Sequence, residues 1–170
     1  MKLTESMVVD RWHILLDGCS GDGQDFFQEV HDKLTAYAVP GLKWSIETVS
    51  SGGLRGLPGR HRRDMVVVRD DHLTETRVCI GARDYGAYFL DISWYLVVHP
   101  DSVSRVASAV VGEGLLRSLS LFDQQDCRAF AKATRRAIEQ AIDGLKGRSS
   151  STPHSMSSAT SSSVFDEDSP

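Results

Sequence analysis

The sequence is short of the features that would name a chemistry at once. Cysteine occurs three times, at Cys19, Cys79 and Cys127. An odd count at such wide spacing builds no disulfide framework and no paired-cysteine metal site. Free thiols suit a reducing compartment, and the first residues (MKLTESMVVD) hold no apolar core of signal-peptide length, so a cytoplasmic location is expected. No run approaches the ~18 apolar residues that cross a bilayer. Basic charge is also lacking. The net charge is −4, which is not the field of a general nucleic-acid binder. The six histidines are scattered with no zinc-ligand spacing. There is no nucleophile elbow, kinase signature or internal repeat. No catalytic residue, cofactor or metal is therefore assigned.

What is present is a globular composition, 41% hydrophobic and 25% charged. The exception is the end of the chain. Residues 147–170 carry ten serines and two threonines against very few large apolar side chains. Such a segment cannot bury enough surface to offset the entropy of ordering, so a disordered Ser-rich tail is expected at 147–170. Residues 1–146 then form a single α+β domain, large enough to fold without staples.

Periodicity places the elements. Val8 to Leu16 alternates as a strand, with Trp12, Ile14 and Leu16 on one side. GCSGDG (Gly18 to Gly23) breaks it, Asp22 caps a helix, and Phe27, Val30, Leu34 and Tyr37 follow at helical spacing to Pro40-Gly41. Strands are expected at Leu42 to Val49 (Leu42, Trp44 and Ile46 inward), Met65 to Arg69, Thr76 to Arg83 and Ala87 to Val98. In the last, Tyr88, Leu90, Ile92, Trp94, Leu96 and Val98 line one face. A short helix after Asp101 and a long one capped by Asp123 and running to about Lys146 complete the chain. The order is β-α-β-β-β-β-α-α: one mainly antiparallel five-stranded sheet with helices packed on one face.

Three places invite a functional reading. The strand–GCSGDG–helix junction has the layout of a phosphate cradle, but not the dinucleotide or Walker glycine pattern, and Asp17, Asp22 and Asp25 would repel an anion. Cys19 precedes a helix there and could be a nucleophile with His13 as base, the basis of a small cysteine enzyme or sensor. The SSGGLRGLPGRHRR loop gathers Arg55, Arg60, Arg62 and Arg63, which could grip nucleic acid or a phosphate ligand. The outer sheet face mixes Arg77, Arg83, Phe89, Asp91 and Tyr95, with the two aromatics as possible anchors.

Residues 77–100, RVCIGARDYGAYFLDISWYLVVHP, resemble a segment of small uncharacterised bacterial proteins. The likeness rests on Tyr85-Gly86 and Ser93-Trp94-Tyr95-Leu96. It implies a hairpin and a bacterial source, and no activity. The reading that follows is a non-enzymatic cytoplasmic interaction domain. It would bind a protein partner, or itself, through the outer face and the arginine loop. Nucleic acid is the alternative partner and a membrane is not expected.

Overall fold

In the computed structural model, residues 1–51, 62–99, 116 and 119–151 are described. The elements are β1 (Lys2–Leu3), β2 (Val8–Asp17), α1 (Gly23–Ala36), β3 (Leu42–Ser51), β4 (Arg62–Asp70), β5 (Thr76–Tyr85), β6 (Phe89–Val98) and α2 (Leu121–Ser151), with a 3-10 turn at Glu5–Met7 between β1 and β2. The sheet order is β1-β3-β4-β5-β6-β2. Every pairing is antiparallel except β1 with β3.

The fold is α+β, as expected, but among the described residues the sheet has six strands and is mixed. Lys2–Leu3 is too short to show alternation, and it is a strand only because β3 lies beside it: Lys2 pairs with Ser50 and Leu3 with Ser51. That placement also bends the sheet. The chain leaves one edge at Leu3 and joins the opposite edge at Val8. A flat sheet would put those edges about five strand spacings apart, roughly 24 Å at ~4.8 Å each. The linking residues reach at most ~18 Å, and less with a 3-10 turn among them. The sheet is therefore curled, with the N-terminal segment as a strap across its outer face.

Helices pack on the other face. Phe26, Val30 and Leu34 of α1 and Cys127, Phe130, Ala137, Ile138, Ala141, Ile142 and Leu145 of α2 meet Leu16, Val66, Val68, Val78, Ile80, Leu90, Ile92, Trp94 and Leu96 of the strands. The Trp94 indole N–H reaches Thr134 Oγ1 at 3.4 Å, giving the largest buried side chain a polar partner.

Several expectations are corrected. Leu42, Trp44 and Ile46 do lie on the helix side, but Trp44 is 41% and Ile46 55% exposed. α1 meets β3 at its first residues, where Leu42 packs against the helix-side cluster and the His31 ring lies 4.5 Å from that of Trp44, but it leaves Ile46 open, and on the opposite face Ser45 and Glu47 are half-buried and Val49 is buried. The β5–β6 turn is one residue or more longer than its glycine suggests: Tyr85 pairs with Phe89, so Ala87 and Tyr88 belong to the turn, and Tyr88 is exposed instead of lining the core. Gly86, at φ 72°, takes the left-handed conformation that turn needs. β4 extends from Arg62 to Asp70, well beyond its apolar centre, because β3 pairs along its whole length. The cap of α2 is Ser120: its Oγ accepts from the Asp123 amide at 3.2 Å while the hydroxyl donates to the Asp123 carboxylate at 2.7 Å. The helix runs to Ser151, past its expected end at Lys146. The short helix expected after Asp101 and most of the serine-rich tail lie outside the described residues.

Candidate interaction surface on the outer sheet face

Strand register sorts the outer face into rows. Lys43, Arg69, Arg77 and Val97 form one; Ser45, Val67, Cys79, Tyr95 and Arg11 the next. Beyond Gly81, Ser93 and His13 come Arg83, Asp91 and Leu15, then Tyr85, Phe89 and Asp17 at the hairpin end. The first rows are covered except at their ends, where Lys43 and Arg11 are exposed, and the last are open.

Under the strap, Met7, Val49, Met65, Val67, Cys79 and Val97 make a second buried cluster, with Met1, Leu3 and Tyr95 packed against it. Gly81 permits this packing. A Cβ there would stand 2.7 Å from Ser93 Oγ and 3.0 Å from the Met65 methyl. At the edge of the cluster Arg69 donates to Glu47 Oε1 and, at 3.0 Å, to Ser45 Oγ. Burial raises the Glu47 pKa, but the hydrogen bonds from Arg69 and Ser45 and the charges of Arg69 and Arg77 outweigh it, so the carboxyl titrates below its ordinary range. Arg77 is drawn in beside Met1, its Nη1 3.4 Å from the Met1 sulfur. Its buried Nε has no hydrogen-bond partner among the described residues. Of the residues expected at the interface, Arg77 and Tyr95 thus belong to the covered half.

The open half brings the others together. Arg83 Nε donates to Asp91 Oδ2 at 2.9 Å across the β5–β6 ladder. The same guanidinium lies 5.7 Å from the centre of the Tyr85 ring. Phe89 is half-buried opposite Tyr85, and Leu15, Tyr85 and Tyr88 are 47%, 57% and 70% exposed. Arg62 and Arg63 stand exposed at the start of β4. Arg55 and Arg60 lie outside the described residues.

The other candidates are answered by their surroundings. Cys19 is 1% exposed and sits in the helix-side cluster, whereas His13 lies on the outer face, so the sheet separates thiol from base. Burial pushes the Cys79 thiol up to about 12, with the Glu47 charge adding to it, and raises Cys127 as well. Neither is poised as a thiolate nucleophile. In the GCSGDG junction the Gly21 amide donates to Asp84 Oδ1 at 2.8 Å and the Gly18 amide to Tyr88 O at 2.8 Å. Those donors brace the hairpin against α1 and do not face a vacant cradle. Asp22 stands at the cap position of α1 without a side-chain capping bond. Among the described residues no three His, Cys, Asp or Glu side chains are grouped to hold a metal ion. None of the described helices is long and apolar enough to cross a membrane.

One feature escaped the sequence reading. Arg128, Lys132 and Arg135 of α2 border an open hollow of about 440 Å³ floored by Trp94, Leu96 and Cys127. Arg135 also lies 5.7 Å from the Trp12 ring centre. The i, i+4, i+7 spacing of these cations is visible in the sequence; their position over strand β2 is not. Comparison with protein-family models, with curated proteins and with solved structures gave no match to this chain.

Proposed function

We propose that this is a non-enzymatic interaction domain that binds a protein partner through the open half of the outer sheet face. One observation carries the reading: the Arg83–Asp91 pair is flanked by Leu15, Tyr85 and Tyr88, all left exposed, on the β5–β6 ladder with no helix or strap above it among the described residues. Tyrosine and arginine give the strongest anchors at protein interfaces because they bury much area at low entropic cost. Solvent-exposed aromatic side chains clustered on a rigid surface are the pattern of such a site. Arg63, on the same side of β4 as Met65 and Val67, extends the surface with positive charge, and Arg62 adds charge at the start of the same strand.

The test is sedimentation of the labelled domain in native lysate. The wild type should migrate in a heavier species, and Arg83→Glu combined with Tyr85→Ser should return it to the mass of the single chain with an unchanged circular dichroism spectrum. A heavier species that survives this change but dissolves with nuclease, or on Arg62→Glu with Arg63→Glu, would replace the protein partner by nucleic acid. Such binding would fall steeply with salt.

A further inference from the structure

β3 is an open edge strand. Among the described residues its outer neighbour is the two-residue β1, which pairs with Ser50 and Ser51. The hydrogen bonds there fix which way the backbone points. The Ser50 amide donates to Met1 O at 2.9 Å, and the Met1 amine donates to Thr48 O at 2.9 Å. Even-numbered residues therefore present their amides and carbonyls to the outer edge, and odd-numbered ones face β4. At the other end the Leu42 amide is held by Val39 O at 3.4 Å. What remains unpaired among the described residues is the Leu42 carbonyl, both groups of Trp44, both groups of Ile46 and the Thr48 amide.

This window matches itself. Its centre is Ser45, and the sequence about that centre is Leu42-Lys43-Trp44-Ser45-Ile46-Glu47-Thr48. We infer that the domain pairs with a second copy of itself, β3 against β3, antiparallel about a two-fold axis through Ser45. Trp44 then exchanges both backbone bonds with Ile46 of the second copy, and the Leu42 carbonyl receives the Thr48 amide. The groups already bonded, the Leu42 amide and the Thr48 carbonyl, are the ones that would have faced each other and are not needed. On the outer face Lys43 comes opposite Glu47 of the second copy, and on the helix side the exposed Trp44 ring meets the exposed Ile46. Backbone direction also admits registers shifted by one residue in each chain, but those set Lys43 or Glu47 opposite serine or valine. Only the register centred on Ser45 joins opposite charges. A long edge strand with exposed apolar side chains is a template for pairing, and an isologous contact closes it.

The inference shares with the proposed function only the premise that the domain works by association, since the two surfaces are distinct. It is tested by sedimentation over a concentration series, with any tag at the C-terminal end because residues ahead of Met1 would run along the same edge. The mass should rise from the 18.7 kDa of one chain toward twice that value. Lys43→Glu and Glu47→Lys should each weaken self-association at least about tenfold, because each sets like charges opposite one another. An equimolar mixture of the two should regain it, since every cross-strand pair is then of opposite sign. Ile46→Pro should abolish it without loss of fold, because the lost amide has no backbone partner among the described residues of the single chain. A mass that stays at one chain throughout, a mixture no heavier than its components, or full association of Ile46→Pro would overturn the inference. If Arg83→Glu with Tyr85→Ser removes self-association and Ile46→Pro does not, the contact belongs to the outer face: this inference falls and the surface of the proposed function stands.

Discussion

The two faces of the sheet use the same strands and differ in what lies over them. On the helix side α1 and α2 seal a cluster that runs from Leu16 to Leu145 and holds Trp94, Phe26 and Ile92 out of water. On the outer face a strap of seven residues covers a much smaller cluster of Met7, Val49, Met65, Val67, Cys79 and Val97. One cover is made of two helices with their own backbone hydrogen bonds. The other is held by Lys2–Leu3 on the edge of β3, the Arg11–Glu5 ion pair at 2.9 Å and its methionines. The contrast shows that a strand's alternation says which residues share a face, while the cover decides which face is buried. β3 is the case in point: its apolar Trp44 and Ile46 are exposed and its Glu47 is covered.

The largest expected effect measures that asymmetry directly. Trp94→Ala should cost about 3–5 kcal/mol of stability, since it opens a cavity in the helix-side cluster and removes the indole N–H that donates to Thr134 Oγ1. Met7→Ala, which truncates the strap's own side chain in the outer cluster, should cost about 2 kcal/mol, the low end for a buried methionine, because the thin cover can settle into the space. Chemical denaturation of both variants checks the order. Equal losses would mean that the strap is as integral to the core as the helices.

How much of this was legible in the sequence follows from the same contrast. Local pattern was sufficient for α1, for the long C-terminal helix and for the strands around Ile80 and Trp94, because there the period of the chain agrees with burial. It was insufficient wherever a remote segment decides. Lys2–Leu3 has no period to read, and its pairing partner lies nearly fifty residues away. The division of the outer face, which takes Tyr95 and Arg77 out of the open surface and leaves Arg83, Phe89 and Asp91 in it, depends on that remote strap. The symmetry about Ser45 was present in the letters of the chain all along. It acquires meaning only when β3 is known to be an edge.

A smaller effect probes the strap alone. Cys79 lies beneath it with its thiol pushed up to about 12, and Cys127 lies beneath α2. Alkylation under native conditions should be slow at both. Met7→Asp places a charge under the strap and should speed labelling of Cys79 severalfold while Cys127 keeps its protection, because local opening draws on the least stable cover first. Peptide mapping of the labelled chain separates the two sites. Equal acceleration at both would mean that the faces open together.

The smallest effect concerns charge at the margin of the strap. The ordinary Glu47 carboxyl would titrate near 4.5, and in the folded chain it titrates lower because Arg69 and Ser45 bond the ionised form despite its partial burial. The folded state therefore binds a proton there less readily than the unfolded state. The resulting stabilisation is present above pH 4.5 and is lost as pH falls below that value through the folded pKa. Glu47→Gln should lower stability at neutral pH and flatten this part of the acid limb, so that the stability curves of variant and wild type converge in acid. The same substitution leaves the helix-side cluster untouched, so Cys127 labelling should not change. Curves that stay parallel from neutral pH into acid would assign the loss to packing under the strap and not to the Arg69 pair.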